Sequence, residues 1–139
     1  MIFLDTNVLI YAFDTGSAHC DWARQMVADG VSGDGAAINA VALAEICVGD
    51  EEPDTVAERM RSWGVDILDV PAAAADVCAK AYRRYLDRRV SQSDRRVSRT
   101  PLPDFFIGAH AQIMSWDLVT ADKGRFRTYF PKVRLRTPE

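Results

Sequence analysis

Ile2-Phe3-Leu4 is an apolar run of three residues that stops at Asp5. Such a run reads as a strand buried on both faces of a parallel sheet. The same pattern returns along the chain. Ala36–Ile38, Val65–Val70 and Leu118–Thr120 read as further strands, and Lys132–Leu135 as a last strand at an edge. Helical segments fall between them. They cover residues 7–13, about 18–29, a segment that Asn39 caps and Gly49 stops, about 53–63 and about 71–89. Another runs from Asp104 to about Ser115, and Asp122 to Tyr129 reads as a short turn or helix. In the segment after Asn39, Val41, Leu43, Ala44, Ile46 and Cys47 are expected to supply apolar contacts. Residues 90–100 are polar and aperiodic, so they read as a loop or frayed helix end. Alternation of strand and helix predicts a three-layer α/β/α fold around a central, mostly parallel sheet.

With 139 residues, the chain is expected to form a single domain spanning 1–139. A hydrophobic fraction of 48% beside 27% charged residues excludes a disordered or membrane-embedded class. Met1–Asp5 lacks the basic start and the length of a signal peptide, and no stretch approaches a spanning helix. Cys20, Cys47 and Cys78 are odd in number and widely spaced, which predicts free thiols in a reducing cytoplasm rather than disulfides or a thiolate zinc site. The net charge of -3 hides an asymmetry: residues 80–99 carry +6, leaving -9 elsewhere. An acidic whole argues against simple coating of nucleic acid, yet a local basic stripe can follow a phosphate backbone. Arg88, Arg89, Arg95, Arg96 and Arg99 are therefore candidate RNA contacts, against the alternative of a solvated helix end.

Four acids stand where predicted strands end or helices begin or run their first turns: Asp5, Glu45, Asp104 and Asp122. In an open parallel sheet such positions can converge at the carboxyl edge, where ligands bind. Crowded carboxylates raise one another's pKa unless a cation is present, and a cation held by oxygens points to phosphate chemistry. Each acid also has an ordinary reading. Asp5 and Asp122 can cap the helices that follow. Asp104 suits a first helical turn, although Phe105 and Phe106 make its surroundings apolar. Glu45 interrupts an apolar helix with no evident solvated stripe. Thr6 and Asn7 are candidate donors that orient Asp5, and Thr120 a candidate donor to a ligand carboxylate. His19 and His110 form no metal-spaced pair, and His110 is expected to pack or hydrogen-bond within its helix.

These pieces resemble the PIN-domain ribonucleases, especially the VapC-like toxins of bacterial toxin–antitoxin pairs. The resemblance is carried by Phe3–Ile10, Ala44-Glu45-Ile46 with Gly49, Pro103–Ala109, Leu118–Asp122 with Phe126, and the closing Phe130–Leu135 with Pro138. It implies Asp5, Glu45, Asp104 and Asp122 as an acidic quartet and Thr120 as a supporting hydroxyl. It further implies metal held by Asp5, Asp104 and Asp122, with Mg²⁺ as cofactor and Mn²⁺ able to substitute. The implied activity is endoribonuclease hydrolysis leaving 5′-phosphate and 3′-hydroxyl ends. The implied partners are RNA, a cognate antitoxin whose arginine can enter the quartet, and a second copy of the chain in a homodimer. Two features depart from the pattern. The segment Arg88–Thr100 is longer and richer in arginine, and Arg125 stands near a position where some relatives place a polar or acidic group. Both bear on substrate choice and second-metal affinity. Competing readings are a catalytically silent PIN-like protein-binding domain and a different acid-site phosphatase. Against the latter, Asp5-Thr6-Asn7 lacks the second Asp two residues on.

Overall fold

The computed structural model describes residues 1–91 and 102–138. In chain order the elements are β1 (Ile2–Leu4), α1 (Thr6–Phe13), α2 (Cys20–Ser32), β2 (Ala36–Asn39), α3 (Ala40–Val48), α4 (Val56–Ser62) and β3 (Val65–Leu68). They continue with α5 (Ala74–Ser91), α6 (Leu102–Met114), β4 (Asp117–Val119), α7 (Lys123–Tyr129) and β5 (Leu135–Arg136). The five strands form one sheet in the order β3-β2-β1-β4-β5, and every pairing is parallel. Helices flank it in the three-layer α/β/α arrangement that the alternation of segments predicts.

Strand order places the site. From β1 the chain moves outward through β2 to β3, then crosses back so that β4 lies on the other side of β1. That reversal opens a crevice at the carboxyl ends of β1 and β4, as in other doubly wound sheets. Both strands are apolar and buried: Phe3, Leu4, Leu118 and Val119 have no solvent exposure. Ladder bonding continues past β1, because the Asp5 N–H donates to the Val119 carbonyl at 3.0 Å. An acid is thereby drawn to the rim of the core.

Several boundaries differ from the sequence reading, each for a local reason. Pro53 opens a 3-10 turn (Pro53–Thr55) rather than an α-helix. The chain turns through Pro71–Ala73 before α5, and α5 runs on to Ser91, so at residues 90–91 the helical one of the two alternatives, loop or helix end, is found. The remainder of that segment, including Arg95, Arg96 and Arg99, lies outside the described residues. The last strand begins at Leu135 rather than Lys132, because residues 131–133 turn and send Val133 into the core. Ala44 is exposed and Val48 is 88% exposed, so α3 has a solvated stripe at four-residue spacing that its apolar composition conceals. Among the described residues, no helix is long and apolar enough to cross a membrane. Cys20 and Cys78 are buried free thiols, and Cys47 is half-buried.

The packing of α7 on α6 sets the outer wall of the crevice. Phe105 is fully buried and meets Tyr129 and Phe130 at ring-centroid distances of 5.3 and 5.6 Å. Gly108 permits the approach: a Cβ there would lie 2.4 Å from the Phe130 ring. Gly108→Ala is therefore expected to force the two helices apart and destabilise the protein by about 1–3 kcal/mol. A lowered denaturant midpoint with unchanged slope would show it, and an unaltered midpoint would contradict the contact.

Candidate active site

Among the described residues, the buried polar side chains are Asp5, Thr6, Asn39, His110 and Thr120. All five belong to the rim or to the bonds that brace it. Asp5 sits at the end of β1 in extended backbone and caps α1, its Oδ1 accepting the Thr6 N–H at 2.8 Å. Its Oδ2 accepts from the Thr120 hydroxyl at 2.8 Å. That bond spans the crevice between β1 and β4. Thr120 Oγ1 in turn accepts the Asp122 N–H at 2.9 Å. The capping role of Asp5 and its place at the rim are thus the same geometry.

Glu45 reaches the rim from the second turn of α3. It is half-buried, and its Oε1 accepts from the Thr6 hydroxyl at 2.7 Å. Thr6 consequently holds two carboxylates, Asp5 through its backbone and Glu45 through its side chain. Asn39 caps α3, with Oδ1 accepting the Ala42 N–H at 3.0 Å. Its Nδ2 lies 3.2 Å from His110 Nδ1. An amide NH₂ only donates, so that ring nitrogen accepts. Burial pushes the His110 pKa down, which suits a neutral ring. His110 also meets Phe3 and Trp116 at 4.6 and 6.0 Å. It is a brace between α6 and the start of α3, rather than a residue bonded only within its own helix.

Asp104 lies in the first turn of α6, where Pro103 is tolerated and free N–H groups favour an anion. Asp122 caps α7, its Oδ1 accepting the Arg125 N–H at 3.5 Å, and it is exposed. Arg125 pairs with Asp104 Oδ2, and its Nη1 stands 4.0 Å from Asp122 Oδ2. Nothing in the sequence alone announces this pair. The signal available is the three-residue offset from Asp122, which places Arg125 in the first turn of α7 facing the rim.

Electrostatics join the four acids. Burial raises the Asp5 carboxyl to about 7, with repulsion from Asp104 and Glu45 adding to it and the bonds from Thr120 and Thr6 opposing it. Burial also raises Glu45, against its Thr6 bond, and Asp104 repels it. Asp104 is raised by burial and by Asp122, with Arg125 as the opposing cation. Asp5, Glu45 and Asp104 are thus within electrostatic reach of one another, and Asp122 is within reach of Asp104. Asn7 is exposed at the start of α1, and the bonds to Asp5 come from Thr6 and Thr120. Arg88 is exposed on α5, whereas Arg89 lies over the Tyr85 ring at 5.6 Å.

Among the described residues, no three His, Cys, Asp or Glu side chains stand close enough to hold a metal ion as they are. In the present arrangement Arg125 pairs with Asp104, and both Asp5 oxygens and one Glu45 oxygen accept hydrogen bonds. The donor chemistry nevertheless suits a hard divalent cation. It is all oxygen, excess in negative charge, and includes a carboxyl whose charged form lacks a compensating cation.

The sequence profile of the PIN domain matches residues 2–131, so the chain belongs to the PIN-domain family. No curated protein matches it in sequence. A toxin–antitoxin complex from Klebsiella pneumoniae superposes with a TM-score of 0.68 at 22% identity, covering 100% of this chain and 98% of that one. DNA-bound VapBC from Salmonella typhimurium gives 0.68 at 21% identity, with 99% and 98% covered. VapC20 of Mycobacterium tuberculosis, described as a sarcin–ricin loop cleaving toxin, gives 0.62 at 19% identity, with 96% and 99% covered. At these identities the likeness is one of fold. Membership of the family supports a nuclease role in general terms.

Burial of Asp5 has a measurable consequence. Its folded pKa of about 7 exceeds the ordinary 3.8, so between those values the folded state binds more protons than the unfolded state. Without divalent metal, the contribution of Asp5 to stability is then fully present below pH 4 and is lost as pH rises through 7. The loss from this group is on the order of a few kcal/mol. Asp5→Asn is expected to flatten that decline in denaturant titrations across the range. An equally steep decline in the variant would remove Asp5 as its source.

Proposed function

We propose that the chain is a metal-dependent endoribonuclease, a VapC-like toxin of a toxin–antitoxin pair, acting as a single PIN-like domain. One observation carries this reading: a buried carboxyl, Asp5, stands at the sheet's topological switch point within reach of Asp104 and Glu45. Asp5, Asp104 and Asp122 would hold Mg²⁺ or Mn²⁺, with Glu45 completing the pocket. When bound, such a cation supplies an activated water nucleophile and stabilises charge on phosphoryl oxygens.

The chain's own residues do the rest. Thr120 and Thr6 fix the two oxygens of Asp5 so that the carboxylate does not rotate on loading. Thr6 orients Glu45 before substrate arrives. Bracing by Asn39 and His110 ties α3, and hence Glu45, to α6, which carries Asp104. Preorganisation of this kind is what lets a cation act without rearrangement of its ligands. RNA as substrate is supported by the sarcin–ricin loop cleavage named for the Mycobacterium tuberculosis relative. A protein antitoxin is supported by the toxin–antitoxin complexes among the similar structures. The homodimer and the cytoplasmic setting belong to the same proposal. Arg88 and Arg89 at the end of α5, with Arg95, Arg96 and Arg99, would follow the RNA backbone.

Purified protein with cellular RNA and Mg²⁺ or Mn²⁺ is expected to give discrete fragments that chelator abolishes. Asp5→Asn and Asp104→Asn are expected to lower the rate by about a hundredfold or more, and Thr120→Val by about tenfold. End-sequencing should find 5′-phosphates. Metal-independent cutting, or full activity in Asp5→Asn, would contradict the assignment. Replacing Arg88, Arg95, Arg96 and Arg99 with Ala should weaken RNA binding at low salt and flatten its salt dependence. Unchanged affinity would remove that segment from the RNA path.

A further inference from the structure

We propose that Arg125 is a built-in counter-ion of the carboxylate pocket that competes in cis with a divalent cation for Asp104 and Asp122. The proposal deepens the nuclease reading and rests on it.

Position comes first. Arg125 is the third residue of α7, and its backbone N–H donates to the Asp122 cap. The residue cannot be withdrawn from the rim without loosening the start of the helix; only its side chain can swing. That side chain crosses to α6, pairs with Asp104 Oδ2 and keeps Nη1 4.0 Å from Asp122 Oδ2. Its neighbours on the same helix, Lys123 and Arg127, are exposed, whereas the Arg125 side chain is only 30% exposed. The charge directed into the pocket is therefore specific to this position and does not express a generally basic helix.

The four acids are consequently unequal. Asp104 has a guanidinium partner and Asp122 has one nearby. Asp5 and Glu45 are held by hydroxyl and backbone donors, with no ion pair among the described residues. A cation can approach the Asp5 side against little opposition. Engaging Asp104 or Asp122 requires breaking a charge-assisted pair first, and such pairs are about twice as strong as neutral hydrogen bonds. The planar fork matters too, since a Lys at 125 would offer a point charge without the same directional match. Arg125 thus makes occupancy of the outer half of the pocket a contest between guanidinium and metal, in which RNA phosphate or metal concentration can tip the balance.

The test is Mn²⁺ binding to the full chain without RNA, measured by electron paramagnetic resonance of free Mn²⁺ and by calorimetry. Arg125→Ala is expected to bind Mn²⁺ about tenfold more tightly than the parent or better. Arg125→Met, which keeps the apolar stem, should match Ala and guards against a packing artefact. Arg125→Lys should lie closer to the parent. Equal or weaker binding in both neutral variants, with intact thermal transitions, would overturn the competition while leaving the metal site standing. If neither the parent nor these variants bound Mn²⁺, the metal-dependent reading would fall together with the proposal. Binding that survives in Asp5→Asn with unchanged affinity would place the ion elsewhere and overturn both assignments.

Discussion

The carboxyl of Asp5 is buried at the end of a central strand, and the arrangement around it follows from what that burial demands. A charged group with so little access to water must be satisfied by fixed donors or by a cation. Thr6 and Thr120 supply the donors, one from the helix that follows β1 and one from the end of the neighbouring β4. The bond to Thr120 closes the two sides of the switch point upon each other. Glu45 and Asp104 then add charge of the same sign, and that repulsion favours the arrival of positive charge.

Two braces keep the acids at the rim. One is the contact from Asn39 to His110, which joins the start of α3 to the middle of α6. The other is the aromatic packing around Phe105 and Phe130, admitted by Gly108, which holds α7 against α6. Together they set Glu45, Asp104 and Asp122 relative to Asp5 from four separate segments of chain. The packed residues thereby fix the positions of the charged ones.

Much of this was legible in the sequence. Short apolar runs ending at Asp5 and before Asp122, with an Asn39 cap between them, were enough to order the strands and helices and to single out the acids. Those signals are local, so they survive without knowledge of the fold. Other features depend on contacts distant in sequence. Asn39 and His110 are 71 residues apart, and Asp104 and Arg125 are 21 apart. Neither pair has a periodic or motif signature, so the sequence around His110 shows only its own helix. The exposed stripe of α3 was hidden for a different reason: alanine and valine can face water at little cost, so apolar composition alone did not reveal its outer face.

On the proposed reading, Asp5 at the end of β1 and Asp104 and Asp122 at the starts of α6 and α7 would share one cation, with Arg125 now paired to Asp104. A crystal of the full chain soaked in Mn²⁺ and measured at the manganese edge would locate that cation. The expected result is an anomalous peak bounded by Asp5 and Asp104, with the Arg125 side chain turned away from Asp104. A crystal in which Arg125 keeps its pair and the peak falls outside the four carboxylates, or is absent at saturating Mn²⁺, would contradict it.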